Sequence, residues 1–410
     1  MKKLFIVLFT VFFCFSYLYS QDVQIKSLKY YPGNNKTGFP IIGTGNNGGY
    51  LTIDFDIKAQ HIPDLSIVFR FCDMNWRSYD NVFLANFGKN IERNINFEKL
   101  STTVQQADYH YTGTFPDENK YVEFPFSGNW MFFITDTQDT SKVYGYGKFY
   151  VVQNAIDIQD TLTNETLESG NYFPTELGKV FNITTSFYLD ELFYPAYVNN
   201  VTIIENQKID YPIVINKNFN TNARQFYWDA NRKFKFIARD IRPGNEYRQV
   251  DIRNINKFNS VNVNAQFDGL EYSRFFKEEP RDHNGGSIID SYKDPYATYL
   301  NVSFSIRPPD NAYGDVFLVG AFNKWDISPD YRMNYIGGIF SKTIQLKRGI
   351  YDYQYVLANY QDGKISDPDW CILEGNSWET SNEYNIFVYY KEPTNGGYDR
   401  IIAHSRIISR

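Results

Sequence analysis

Val316-Phe317-Leu318-Val319, Gly320-Ala321-Phe322-Asn323-Lys324-Trp325, Gly338-Ile339-Phe340-Ser341-Lys342-Thr343-Ile344-Gln345-Leu346 and Tyr351-Asp352-Tyr353-Gln354-Tyr355-Val356 follow one another in the stretch that decides the fold. Runs of β-branched and aromatic residues, broken by clusters of Gly, Asn, Asp and Pro, are the pattern of short antiparallel strands joined by turns. The expectation is an all-β chain built of sandwiches, with the same pattern written more weakly upstream. In the turn, Gly320 is expected at a positive φ, Phe322 in the core, Asn323 bonded to nearby backbone and Trp325 over the corner.

Gly320-Ala321-Phe322-Asn323-Lys324-Trp325 resembles the turn of early-set immunoglobulin-like domains, notably the glycogen-binding modules of starch-active enzymes and kinases. The resemblance implies tandem immunoglobulin-like β-sandwich domains. It also offers Trp325 as a platform for a sugar ring; the commoner use of a buried aromatic at such a corner is structural.

Outward from there, Met1 to Ser20 carries Lys2 and Lys3, an apolar run from Leu4 to Leu18 and the small residue Ser20. This reads as a secretory signal peptide over residues 1–20, too short and too N-terminal for a spanning helix unless it stays uncleaved. No later run is long and apolar enough to cross a membrane, so no direct membrane insertion is expected. A chain of 410 residues, less that leader, suits about three domains. Its 34 Tyr and 35 Phe against 4 Met fit strand-rich cores. A formal charge of −6 argues against nucleic acid or an anionic membrane surface as the main partner. Past the leader only Cys72 and Cys371 remain; buried free thiols are expected, with a bridge as the alternative.

The expected domains are 21–153, 154–276 and 296–410, with a linker over 277–295 where charge, Gly and Pro accumulate. In the first, Leu51, Ile53, Phe55 and Ile57 alternate with Thr52, Asp54 and Asp56, which puts both carboxylates on one face expected to meet water. In the second, Phe234 and Phe236 alternate with Lys233 and Lys235, a half-buried strand with a solvated basic face. The polar stretch from Ala155 to Gly178 is read as a spacer.

Cys72-Asp73-Met74-Asn75-Trp76 ends a strand; Phe39-Pro40-Ile41-Ile42 precedes it, and Phe115-Pro116-Asp117-Glu118-Asn119 and Ser127-Gly128-Asn129-Trp130 follow. Together with Tyr247-Arg248-Gln249-Val250-Asp251-Ile252-Arg253, Gly314-Asp315-Val316-Phe317, Leu373-Glu374-Gly375-Asn376-Ser377-Trp378-Glu379-Thr380 and Tyr398-Asp399-Arg400, these pieces resemble the type IX secretion system plug protein family of Bacteroidetes-type bacteria. Phe71 stands where that family has His, and Trp378 where it more often has Phe. The resemblance implies a non-enzymatic periplasmic protein that docks on the large outer-membrane β-barrel translocon of the system and closes its periplasmic opening. Asn75, Trp76, Asn323, Trp325 and Trp378 are the binding candidates. The alternative is a secreted carbohydrate-binding protein that uses the C-terminal domain and leaves the others without a role. For the residues of the Cys72–Trp76 motif themselves, Asp73 and Asn75 capping a turn that Trp76 seals is the plainer reading.

Catalytic patterns are missing. His61, His110, His283 and His404 are scattered without zinc spacing, no nucleophile elbow is present, and the glycine-rich segment 43–49 leads into a strand rather than a helix. No cofactor, metal or catalytic residue is expected. Asp367-Pro368-Asp369-Trp370 reads as an ordinary turn sooner than an ion site.

Overall fold

A computed structural model describes residues 23–410 apart from 45–47, 86–88, 118, 120, 168–174, 275–281, 291–296 and 311. The expected leader over 1–20 lies outside the described residues, as does most of the expected linker over 277–295.

The described residues build three two-layered β-sandwiches. In the first, one sheet orders Gln24–Pro32, Leu51–Lys58, Tyr109–Phe115 and Glu98–Lys99. It faces a sheet ordered Ile41–Gly43, Val143–Val152, Gly128–Asp136, Leu65–Cys72 and Ile91–Glu92. The alternation in Leu51–Lys58 does what it promised: Leu51, Ile53, Phe55 and Ile57 are fully buried and meet Phe69, Phe132 and Phe149 from the facing sheet. Burying such side chains is worth about 1.5–3 kcal/mol each, the main force holding the two layers together. Gly147 is fixed by close approach: a Cβ there would come within 2.3 Å of the Phe132 ring and 2.7 Å of Tyr30.

The second and third sandwiches do not follow one another along the chain. One sheet of the second orders Ile158–Thr166, Lys179–Tyr188, Lys233–Ile241 and Arg224–Trp228; the other orders Ile213–Asn216, Val198–Glu205, Glu383–Glu392 and Tyr398–Ile408. The ladder of Val201, Thr202 and Ile203 against Val388, Phe387 and Ile386 joins residues nearly two hundred positions apart. Between Ile241 and Glu383 the chain builds the third sandwich. One of its sheets centres on Ile350–Gln361, which pairs with Arg248–Asp251, Asp315–Gly320, Lys364–Asp369 and Ser287–Ile288. The other orders Asn262–Asn264, Tyr299–Arg307, Ile339–Lys347 and Asn334–Ile336.

The limits expected at 154–276 and 296–410 are therefore corrected. The last two long strands complete the second core, where Tyr384, Ile386, Val388 and Ile402 pack on Phe181, Val201 and Phe236. Strand alternation names the buried face but not the partner across the ladder, so chain neighbours were grouped where sheet neighbours belong. The expected spacer after Ala155 contains the regular strand Ile158–Thr166; its Thr-rich polarity masked its strand character. The described part of the expected linker, Asp282–Asp290, is no free tether, because Gly285, Gly286 and Ser287 are buried and Ser287–Ile288 pairs with Ile350–Tyr351.

In the decisive turn the sharp geometry falls later than expected. Lys324 (φ 58°) and Trp325 (φ 63°) occupy the left-handed region, and Gly320 does not. Gly320 is needed for another reason: a Cβ would meet the Asp352 carbonyl oxygen at 2.6 Å. Asn323 Oδ1 accepts from the Gly320 N–H at 2.9 Å, and Trp325 N–H donates to the Gly320 carbonyl at 3.1 Å. Asn323 thus holds the turn, as expected of an Asx residue.

Near that turn the carboxyls of Asp282 and Asp352 share a buried pocket. Asp352 accepts from the His283 and Gly285 N–H groups at 2.7 and 3.0 Å, and Asp282 from the Tyr247 and Asn284 N–H groups. Burial, with the facing Asp352 and then Glu246, pushes Asp282 up to about 8. A carboxyl raised in the folded state means that folding takes up a proton between its ordinary range and about pH 8. Stability therefore falls as pH climbs through that window and levels off above it. Denaturant midpoints between pH 5 and pH 9 should show this slope, and Asp282→Asn should flatten it. An unchanged slope in the variant would assign the proton elsewhere.

Candidate docking surfaces

Each sequence-derived binding candidate lies at a joint or a turn. At the end of strand Leu65–Cys72, Asp73 Oδ1 accepts from the N–H groups of Asn75 at 2.8 Å and Arg77 at 2.9 Å, closing the turn that carries Trp76 at φ 65°. The half-buried Trp76 ring stands edge-on to Tyr150 at 5.2 Å, with Lys148 5.3 Å over its face and Lys148 paired with Asp210 of the second sandwich. Asn75 is exposed at the tip. Behind this turn Met74 N–H donates to Asp399 at 3.1 Å, and Tyr150 stacks on Phe387 at 4.4 Å. Together with Phe39, Tyr389 and Ile401 these rings form a dry seam between the first and second sandwiches.

Trp325 is only 1 % exposed. Its indole N–H donates to the Gly285 carbonyl at 2.8 Å, and its ring meets Tyr247 at 4.2 Å. A ring with no open face cannot stack on a sugar, so the platform reading of Trp325 is overturned in favour of the structural corner. Trp325→Phe should cost about 1–3 kcal/mol, because the Gly285 carbonyl loses its buried donor; a chemical denaturation curve with an unmoved midpoint would contradict the account. Trp378, half-buried, donates from its indole N–H to Val180 O at 3.1 Å and packs on the second core, with Lys179 5.5 Å over the ring.

The expectation that Asp54 and Asp56 both meet water is also overturned. Asp56 is fully buried, because its face of the sheet is covered by the third sandwich. Lys347 reaches it at 2.8 Å, the Tyr299 hydroxyl donates at 2.8 Å, and His110 Nδ1 lies at 2.8 Å. Burial pushes the carboxyl up, but the His110 and Lys347 contacts outweigh it and hold Asp56 below the usual carboxylate range. Lys29 to Ser287 O and Lys324 to Tyr146 O tie the same two sandwiches, while the Tyr211 hydroxyl accepts from Ile327 N–H at 2.9 Å between the second and third. The three sandwiches are clamped on one another in every pairing.

Cys72 and Cys371 are buried and free, with burial pushing their thiols up to about 11 and about 12. Asp369 of the expected turn accepts from the Cys371 and Ile372 N–H groups, both at 2.9 Å. Among the described residues no group of three or more His, Cys, Asp or Glu is placed to hold a metal ion.

What the sequence reading missed is a set of exposed apolar side chains on two elements that both bond to the hairpin 390–400. Phe83, on the short helix Val82–Ala85, and Leu192 and Tyr194, in the loop before strand Val198–Glu205, are 68 %, 86 % and 69 % exposed. The hairpin 390–400 links them. Asn81 Nδ2 donates to Asn395 O at 2.7 Å, Tyr194 N–H donates to the Tyr390 hydroxyl at 3.1 Å, and Arg400 sits 5.6 Å over Phe193. Arg232 fastens the loop through the carbonyls of Leu189, Asp190 and Phe193. The available signal was the run Leu192-Phe193-Tyr194-Pro195-Ala196-Tyr197: too apolar for an idle loop, with a Pro that keeps it out of a ladder.

Fold and surface together define a clamped, three-sandwich β protein whose conspicuous features are joints and exposed aromatic side chains. Residues 25–153, the N-terminal sandwich, match the family model described as the type 9 secretion system plug protein 1st domain. The chain is also similar to a crystal structure of a hypothetical protein from Parabacteroides merdae ATCC 43184. The two share 20 % identity with a TM-score of 0.76, over 94 % of this chain and 97 % of that one, which shows a common fold. No curated protein matches the chain.

Proposed function

We propose that this protein is a periplasmic lid of the type IX secretion system, seated on the inner mouth of the outer-membrane translocon barrel and closing it when no substrate passes. The match of residues 25–153 to the plug-protein family model is the observation that carries this reading and supports a place in the secretion machinery. Closing a pore wide enough for folded proteins requires area and stiffness rather than chemistry. The apolar seam between the first and second sandwiches, the buried Asp56–Lys347 pair between the first and third, and the Ile327 to Tyr211 hydrogen bond between the second and third support such stiffness. No helix among the described residues is long and apolar enough to cross a membrane.

The reading takes the exposed residues Phe83, Leu192 and Tyr194 as the contact, since aromatic anchors dominate protein interfaces and the backbone that carries these is held by hydrogen bonds. The test is recovery of the tagged mature chain from detergent-solubilised outer membranes of its host. A single very large barrel protein should come with it, and Phe83→Glu with Tyr194→Glu should lower that recovery about tenfold or more, as loss of central anchors does. Full recovery with the double variant would move the contact to another face. No barrel in either sample would sink the lid reading.

A further inference from the structure

A sheet edge offers a row of unpaired N–H and C=O groups, and proteins blunt such edges with short strands, Lys, Pro or bulges. Most edges here are treated in that way. Gln24–Pro32 carries Lys26 and Lys29, a register break between them, Ser27 at φ 51° and a terminal Pro. Lys364–Asp369 contains Pro368 and a left-handed Asp367. Tyr398–Ile408 is covered: Ala155 N–H donates to Ile402 O at 2.8 Å, and Asn154 bonds the backbone of His404. Tyr109–Phe115 is capped by Glu98–Lys99 and ends at Pro116. Ile213–Asn216 and Arg224–Trp228 are short.

Ile158–Thr166 has none of these devices. It is nine residues long, contains no Gly, Pro, Lys or Arg, and pairs with Lys179–Phe187 in an unbroken register without a bulge. Among the described residues no strand lies on its other side. Among the described residues only its first part is screened, where Ser405 donates to Asp160; from Thr161 to Thr166 no described strand pairs with the outer edge, and the side chains are mostly exposed. The chain spends β-favouring Thr161, Thr163 and Thr166 on that segment, residues that keep a strand extended without a core to bury them.

We propose that the outer edge of Thr161–Thr166 is a strand-addition site that takes an extended, basic segment of a partner protein. Charge selects the occupant: Asp157 to Thr166 carries Asp157, Asp160 and Glu165 with no basic residue. Asp160 already accepts from Thr185 and Ser405, so Glu165 is the carboxylate of the open segment: a second copy of this chain would bring only further negative charge to the ladder, whereas a segment bearing Lys or Arg can pair with it. Main-chain hydrogen bonds supply the affinity and the acidic side chains the preference. The proposal is independent of the lid reading, because it uses a different edge and a different probe.

The experiment is amide hydrogen exchange on the full mature chain with two synthetic peptides of about ten residues, one alternating Thr and Lys, the other Thr and Glu. The Thr-Lys peptide should slow exchange of alternate amides between Thr161 and Thr166 about tenfold, and the Thr-Glu peptide should not. Thr163→Pro should abolish the effect, and Thr163→Lys, which keeps the strand extended, should weaken it about tenfold by charge and by a blunted edge. Protection by neither peptide, or equally by both, overturns the proposal. So does protection that grows with protein concentration alone, which would make a second copy the occupant.

Discussion

Glu374→Ala is expected to destabilise the third sandwich by about 3–5 kcal/mol, the range for removing one partner of a buried ion pair. Glu374 is 2 % exposed as a residue and lies between two buried guanidinium groups. Arg248 Nε donates to it at 2.9 Å, Arg274 Nε at 3.0 Å, and the Tyr355 backbone N–H at 2.7 Å. Burial pushes the carboxyl up, yet Arg248 and Arg274 outweigh that and hold Glu374 below its ordinary range. Arg248 also reaches Glu271 at 2.7 Å, and Glu271 accepts from the hydroxyls of Tyr353 and Tyr355. Truncation takes from Arg248 and Arg274 the buried carboxylate they share, so the loss comes from stranded charge rather than a small cavity. Glu374→Gln keeps the shape and part of the hydrogen bonding, and should cost clearly less. Urea midpoints of the two variants decide the matter: equal losses would mean that packing, not charge, sets the cost.

Asp56→Ala should produce a similar loss, about 3–5 kcal/mol, by leaving Lys347 charged and buried at the joint between the first and third sandwiches. Here the damage should be felt on two sequence-distant strands at once. Hydrogen exchange is expected to accelerate in both Leu51–Lys58 and Ile339–Lys347, which the Asp56 to Lys347 contact holds together. Combining Asp56→Leu with Lys347→Met removes the pair and fills the space, and should recover most of the stability, since a dry replacement of a buried pair is often neutral. Acid gives a third readout. Because Asp56 is held below the usual range, its contribution is fully present above that range and is lost as pH falls through the lowered folded value. Acceleration confined to one of the two strands would show that the joint is not held by this pair.

The face a strand buries is written in its own residues, as Leu51, Ile53, Phe55 and Ile57 illustrate, and as Phe234 and Phe236 repeat beside exposed Lys233 and Lys235. The face left over is not so written. Asp56 has the spelling of a solvated residue, and only Lys347, Tyr299 and His110, supplied from elsewhere in the chain, make its burial tolerable. Trp76 and Trp325 show the ambiguity: an aromatic at a turn reads alike whether it seals a joint or greets a partner. Pairing between Val198–Glu205 and Glu383–Glu392 was illegible because both are apolar runs with no mark of address. Leu192 to Tyr197 could have been noticed, since so many large apolar side chains in one loop exceed what a loop can hide.

The interruption of the second sandwich by the third sets an order of events as the chain emerges, N-terminus first, where it folds. By the time residue 376 has emerged, the described strands of the third body are all present, and it can close on local contacts. The second still lacks Glu383–Glu392 and Tyr398–Ile408, so Phe181, Val201 and Phe236 wait without the half of the core that covers them. Domains usually mature from the N-terminus as a chain emerges, and long-range ladders are the slow, aggregation-exposed step. In this chain the middle body finishes last, and a truncation of its final strand would undo a core that begins more than two hundred residues upstream.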